Sequence, residues 1–150
     1  MILVTGGAGY IGSIVAEKLR NDIYGVAVVD DLRNGNYDAV DTVLFEDSNF
    51  GDELTLDYIF SHYTIDCVIH LAASANVPES FVNPEMYYVN NVMETIKLLR
   101  CMFNHEVKNI IFSSTAAVYR DTKYCSEDED IDPLSPYGKS KLMTEEIITD

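Results

Sequence analysis

The chain has 150 residues, 47% hydrophobic and 23% charged, which is the make-up of an ordinary globular protein with enough apolar mass for one core. Its 25 acids against 10 bases leave a formal net charge of -15, so nucleic acid and anionic membrane surfaces are excluded as natural partners. Cys67, Cys101 and Cys125 have no C-x-x-C spacing, which speaks against a disulfide framework or a metal site, and no apolar stretch reaches the roughly 18 residues of a membrane span; a reducing, cytoplasmic setting is the expectation.

The opening run Met1-Ile2-Leu3-Val4 has strand character and drops at once into Gly6, Gly7, Gly9 and Gly12. A helical pattern follows, with Ile11, Ile14, Val15 and Leu19 predicted on one apolar face. A helix N-terminus offers free N–H groups and the positive end of the macrodipole, and only glycine lets backbone approach a phosphate closely. Gly6 is expected to make the turn, Gly9 to clear room for a pyrophosphate, and Gly12 to let the helix pack closely. The same spacing also fits an ordinary strand-to-helix turn. Asp30 favours the dinucleotide reading, because it closes the run Val26-Ala27-Val28-Val29 about 20 residues past the glycines, where an acid accepts ribose hydroxyls.

Asn21-Asp22 should end the first helix. Gly25 to Asp30 reads as a second strand, Asp31 to Gly35 as a polar loop, and Val43-Leu44-Phe45 as part of a third strand. Leu54, Leu56, Ile59 and Phe60 suggest a helix over Asp52 to Tyr63. Cys67 to Leu71 is a continuous apolar run of the kind buried in a parallel sheet. From Pro84 onward, Tyr88, Val92, Ile96, Leu99 and Phe103 predict one long helix, followed by a fifth strand from Asn109 to Ser113. The acid-rich Ser126 to Pro133 reads as a solvated loop. A last helix runs from Tyr137 to the end. Strands alternate with helices, so the expected fold is α/β, a doubly wound parallel sheet of the Rossmann type, as a single domain over residues 1–150.

Tyr137 and Lys141 are four apart and share a helix face. A neighbouring ammonium favours phenolate, so such a pair can remove a hydroxyl proton, although Tyr-x-x-x-Lys alone is as often a surface pair. Ser113-Ser114-Thr115 leaves the fifth strand at its carboxyl end, the edge where open α/β sheets bind ligands.

Several blocks in order resemble the extended short-chain dehydrogenase/reductase family, in its nucleotide-sugar epimerase branch, over essentially the whole chain. They are Val4 to Ser13, Asp30-Asp31-Leu32, Val68 to Ala73, Val77-x-Glu79-Ser80, Tyr87-Tyr88-x-Asn90-Asn91-Val92, Phe112 to Tyr119 and Ser135 to Leu142. The resemblance implies NAD as cofactor and epimerisation of a UDP-hexose at C4 through a 4-keto sugar. It implies Tyr137 as base, Thr115 as its hydroxyl partner, and Lys141 as the residue that binds the nicotinamide ribose and tunes the tyrosine. Cofactor contacts are implied at Gly6, Gly9, Tyr10, Ile11, Gly12, Asp30, Asp31, Leu32, Arg33, Asn34, Gly35, Leu71, Ala72, Ala73, Ser74 and Asn90, together with Tyr137 and Lys141. Related dehydratases carry an Asp-Glu pair after the catalytic threonine; Ala116 and Ala117 stand here, which favours simple oxidation and re-reduction.

Three positions depart from the family pattern: Ser48 for an adenine-contacting aspartate, Ala75 for a lysine, and Arg120 for a glycine. Asp30 favours NAD over NADP, with Arg33 nearby as a counterweight. Family members are about twice as long, so the sequence is expected to be an N-terminal portion lacking the substrate domain and epimerising poorly alone. A non-catalytic NAD-binding or dimerisation module, or a relative acting on another nucleotide sugar, is the alternative. The resemblance also implies a homodimer through the helices near Pro84–Asn104 and Tyr137–Asp150.

Overall fold

Five parallel strands form the sheet of this computed structural model, which describes residues 1–40, 44–120 and 126–150. The strands are β1 (Ile2–Thr5), β2 (Val26–Asp30), β3 (Leu44–Asp47), β4 (Cys67–His70) and β5 (Ile110–Phe112), in the order β3-β2-β1-β4-β5. The order reverses beside β1, which makes the carboxyl end of β1 the switch point of the sheet. The third strand begins at Leu44; Val43, like Cys125, lies outside the described residues.

The described residues fall into two compact units, Met1–Ala72 with Lys97–Ser113, and Ala73–Ile96 with Ser114–Asp150. The first holds the whole sheet. One face carries Leu3, Ala27, Val29, Leu44 and Val68 against Leu56, Ile59 and Phe60 of α2 (Glu53–His62) and against Leu98, Cys101 and Met102 of α5 (Glu94–Asn104). The other carries Val4, Val26 and Val28 against Ala16 of α1 (Tyr10–Asn21). Alternate strand residues serve opposite faces, which is why these strands read as unbroken apolar runs.

The buried face of α1 differs from the predicted one. Ile11 and Ile14 are 59% and 55% exposed, and the line that packs inward is Gly12, Ala16 and, half-buried, Leu19. At Gly12 the helix lies too near the backbone of the preceding loop for any side chain. On α2, Leu54 is likewise exposed while Leu56, Ile59 and Phe60 are buried.

The second unit contains α3 (Val77–Val82), which the sequence reading passed over, α4 (Pro84–Tyr88), a π-helical turn at Val89–Met93, the start of α5, a 3-10 turn at Ala116–Val118 and α6 (Pro136–Thr149). The predicted long helix is therefore three segments. Its buried line is Tyr87, Asn91, Thr95, Leu98 and Met102, one residue before each member of the predicted stripe and with the same spacing. Hydrophobicity missed it because two of its members are polar, and both are satisfied internally: Thr95 Oγ1 donates to the Asn91 carbonyl at 2.8 Å. α6 packs against α3, α4, the π turn and the 3-10 turn, and its buried residues are Gly138, Ser140, Lys141 and Thr144 rather than Leu142, Met143, Ile147 and Ile148. The acid run is largely exposed; Arg120 reaches Asp132 at 3.3 Å and Asp130 at 3.7 Å.

Candidate cofactor cradle and acid-base site

In the first unit, Gly6 has φ +70, a left-handed conformation that an L side chain adopts only with strain. A Cβ there would also stand 2.7 Å from the Ala72 nitrogen. β1 can thus turn sharply while the exit of β4 passes directly over the turn. At Gly12 a Cβ would meet the loop's own backbone, 2.7 Å from Gly7 Cα, so this glycine lets α1 close on the loop itself. Gly9 differs, since a Cβ there would meet only the Gly6 carbonyl, at 3.3 Å, leaving the space in front of it open.

That space faces the first turn of α1, where Gly9 is the N-cap and supplies no side-chain cap. The first intrahelical bond runs from Ser13 N–H to Gly9 O at 3.0 Å, so the N–H groups of Tyr10, Ile11 and Gly12 precede the helical ladder. Tyr10 and Ile11 are exposed beside them. This is a ready site for an anion, and a pyrophosphate fits it in charge and in the absence of obstructing side chains.

Asp30 ends β2 beside this loop. Its Oδ2 accepts from Ala8 N–H and its Oδ1 from Leu32 N–H, both at 2.9 Å, so the carboxylate is fixed and still has acceptor capacity for hydroxyls. Leu32 holds φ +57, and Asn36 N–H donates to Ala8 O at 2.9 Å, which folds the Asp31 to Gly35 loop, Asn34 included, back onto the glycine turn. Arg33 donates from Nε to Asp31 Oδ2 at 2.8 Å, so its charge is already partnered by a carboxylate. Ser48 hydroxyl accepts from Thr55 Oγ1 at 3.2 Å. The first unit therefore brings Gly6 to Gly12, Asp30 to Gly35 and Leu71-Ala72 together at one edge of the sheet.

A pair that the sequence reading missed fastens that edge. Thr5 Oγ1 lies 2.6 Å from His70 Nδ1, with both residues fully buried on adjacent strands, and Ala72 N–H donates to the same hydroxyl at 3.4 Å. The His70 ring is packed between Phe50 and Phe112. Val-Thr and Ile-His at the ends of two apolar runs were the available signal.

The second unit holds Ala73, Ser74, Asn90, Thr115, Tyr137 and Lys141. Ser135 caps α6 by accepting from Gly138 N–H at 3.0 Å, and Pro136 occupies the first turn. Thr115 caps the 3-10 turn, its Oγ1 accepting from Ala117 N–H at 3.2 Å. That turn is pressed onto α6: a Cβ at Gly138 would collide with the Ala117 carbonyl oxygen and lie 3.2 Å from its carbon. Ser114, the residue before Thr115, donates its hydroxyl to Glu145 of α6. Thr115 is in this way held to the helix that carries Tyr137 and Lys141.

Lys141 is only 3% exposed, and burial pushes its ammonium down to about 8 while Glu145, one turn on, pulls it back up. It remains predominantly charged at pH 7. Tyr137 packs edge-on to Tyr87, with ring centroids 6.3 Å apart. The Tyr87 phenol lies 2.6 Å from the Asn76 carbonyl and 2.8 Å from Glu79 Oε2, and burial, then the bond to Glu79, pushes it up to about 12. Tyr87 is thus a fixed neutral wall. Asn90 donates from Nδ2 to Asn91 Oδ1 at 3.1 Å, and Ala75 is exposed just before the Asn76 cap of α3.

A parallel sheet with a glycine turn at its switch point and a fixed acid at the end of β2 defines a dinucleotide-binding protein of the Rossmann class. The chain belongs to the NAD dependent epimerase/dehydratase family, which it matches over residues 2–150. NAD, that family's cofactor, fits the cradle described above. Relatives include a UDP-glucose 4-epimerase of Halalkalibacterium halodurans, 44% identical over 97% of this chain and 44% of its own length. Among solved structures, the UDP-glucose 4-epimerase of Brucella ovis in complex with NAD is 38% identical with a TM-score of 0.94, over 99% of this chain and 46% of its own. That of Stenotrophomonas maltophila, with bound NAD and formylated UDP-arabinopyranose, is 32% identical with a TM-score of 0.91, over 99% and 47%. The chain spans less than half the length of each of these relatives. No helix among the described residues is long and apolar enough to cross a membrane.

Proposed function

We propose that the chain is the cofactor-binding part of a UDP-hexose 4-epimerase, an isomerase that interconverts UDP-glucose and UDP-galactose. The observation that carries this is the packing of the Thr115 turn onto the helix bearing Tyr137 and a dry, charged Lys141, with Ala116 and Ala117 where an elimination would need acids. Gly6 to Gly12, Asp30 to Gly35 and Leu71 to Ser74 hold the dinucleotide, with Asn90, Tyr137 and Lys141. When bound, NAD supplies a reversible hydride acceptor for C4 of the sugar. Tyr137 takes the proton of the 4-hydroxyl as the C4 carbonyl forms and returns it when the carbonyl is reduced on its other face. Thr115 hydroxyl bonds the same oxygen, and the Lys141 ammonium favours phenolate. No net proton or electron is consumed, as isomerisation demands.

Asp30 disfavours a 2′-phosphate, and the ion pair of Arg33 with Asp31 leaves that preference unopposed, which supports NAD over NADP. Exposed Val89, Met93 and Met143 support a homodimer through the helices of the second unit. A UDP-pentose substrate is the second reading, suggested by the arabinose nucleotide in the Stenotrophomonas relative. The setting is taken to be cytoplasmic and the pathway that of galactose.

Fluorescence titration with NAD, and assay for cofactor released on denaturation, test the cradle; a preparation that neither retains nor takes up NAD refutes the reading. In the protein that contains this chain, Tyr137→Phe should abolish interconversion of UDP-galactose and UDP-glucose, and Thr115→Val should lower kcat by roughly 10²–10⁴. Interconversion that survives Tyr137→Phe removes the proposed mechanism. The chain alone is expected to turn over poorly.

A further inference from the structure

Asn34 is the one asparagine of this chain that a glycine follows. That order matters chemically, because a peptide nitrogen can attack the carboxamide of the residue before it, and a β-carbon on the attacking residue hinders the approach. Other asparagines have their carboxamides engaged: Asn36 and Asn76 accept from Asp38 and Glu79 N–H, and Asn49 accepts from Gly51 N–H. Asn34 is exposed, and among the described residues neither its carboxamide nor the Gly35 N–H makes a hydrogen bond. Both reacting groups are open to each other and to water.

The backbone around this pair is fastened on both sides. Arg33 N–H donates to Asp31 Oδ1 at 3.2 Å, and Asn36 N–H donates to Ala8 O at 2.9 Å. Gly35 has no spare room between them, since a Cβ there would stand 2.8 Å from Ala8 Cβ and 2.8 Å from Asp30 Oδ1. Packing against the glycine turn therefore requires glycine at position 35, and the reactive order Asn-Gly comes with it.

We propose that Asn34-Gly35 is a site of spontaneous deamidation, whose isoaspartyl product releases this loop from the glycine turn. The Gly35 nitrogen bonds to Asn34 Cγ, the Cγ–Nδ2 bond breaks, and Nδ2 leaves as ammonia with the proton that Gly35 gives up. Water then opens the cyclic imide. Opening at Cγ yields aspartate on an unaltered backbone; opening at the backbone carbonyl yields isoaspartate, with the chain running through Cβ and Cγ. Both products add a negative charge beside Asp30 and Asp31, but only isoaspartate also lengthens the backbone. Gly35 cannot take up the extra atom in place, so the Asn36 to Ala8 bond yields. That dinucleotide binding then weakens rests on the proposed function; the modification does not.

The test ages the protein in neutral buffer and follows it by peptide mass spectrometry and isoaspartyl methyltransferase labelling. Isoaspartate should accumulate at Asn34 ahead of every other asparagine of the chain. In the isoaspartyl form, separated by chromatography, hydrogen exchange at Asn36 N–H should quicken. NAD should bind that form roughly 2–10-fold more weakly than the fresh protein, the worth of one backbone hydrogen bond. Asn34→Gln, whose longer side chain closes the corresponding ring far more slowly, should keep its own initial affinity and exchange rate on ageing. Freshly prepared Asn34→Asp carries the charge without the added backbone atom and should leave Asn36 N–H protected. Absence of isoaspartate at Asn34 overturns the proposal, as does an isoaspartyl form with unchanged exchange at Asn36, or an equal decline in aged Asn34→Gln. NAD titration of the fresh wild type judges the proposed function separately, since the mapping and exchange readouts need no cofactor.

Discussion

Gly138→Ala sets two physical effects of opposite sign against each other. Gly138 is the third residue of α6, and on helix propensity alone alanine is favoured by about 0.8–1.0 kcal/mol. The added Cβ, however, would fall on the Ala117 carbonyl oxygen, with Pro133 Cβ 3.1 Å away on another side. An ordinary carbon-to-carbonyl-oxygen contact is roughly 3.3–3.6 Å, so the 3-10 turn would have to retreat by about 1 Å. Overpacking of this kind costs about 1–3 kcal/mol, and the moving part is backbone that cannot swing away as a side chain would. The net expectation is a loss of up to about 2 kcal/mol, which for a chain of this size lowers the Tm by up to about 8 °C. Urea or thermal unfolding of wild type and Gly138→Ala measures it. The displaced turn carries Thr115, so turnover in the protein containing this chain should fall further than stability does. A Tm raised by the substitution would refute the close packing of the Thr115 turn on α6.

Helices α1 and α5 both end with a side-chain-bearing residue in a left-handed conformation, Ile23 at φ 70 and Glu106 at φ 59, with paired bonds such as Tyr24 N–H to Leu19 O and Val107 N–H to Met102 O. Glycine is the natural occupant of such a position, and Ile23 is 94% exposed, so Ile23→Gly and Glu106→Gly should each stabilise by about 1 kcal/mol in denaturant unfolding. Thr5→Val leaves the buried His70 nitrogen facing a methyl group and should cost about 1–3 kcal/mol, whereas Thr5→Ser, which keeps the hydroxyl, should cost far less by the same measurement. Lys141 is held below its ordinary value of 10.5, at about 8, so the unfolded chain binds more protons between those limits and the wild type gains stability as pH rises through that window. Lys141→Met should therefore be the more stable variant at pH 7, by an amount on the order of 3 kcal/mol, and its advantage should shrink by pH 10 in urea titrations at the two pH values.

Local chemistry was enough to read the strands and the glycine turn. Apolar runs of four or five residues leave few options for β1 and β2, and Asp30 at the end of the second run stands beside the glycine turn, as its spacing predicts. The helix predicted from Tyr137 begins one residue earlier, at Pro136 after the Ser135 cap, a signal that acts within one turn of chain. What hydropathy could not show was which side of each helix faces inward. On α1 close approach to the loop chose Gly12 and Ala16 over Ile11 and Ile14, and on the segment from Tyr87 to Met102 the buried line runs through Asn91 and Thr95. A polar residue belongs inside only when its partners arrive from elsewhere in the chain, as Ser74 and Ser140 do for Asn91 and as Thr5 does for His70. Those partners lie 17, 49 and 65 residues away, so tertiary structure alone could select them.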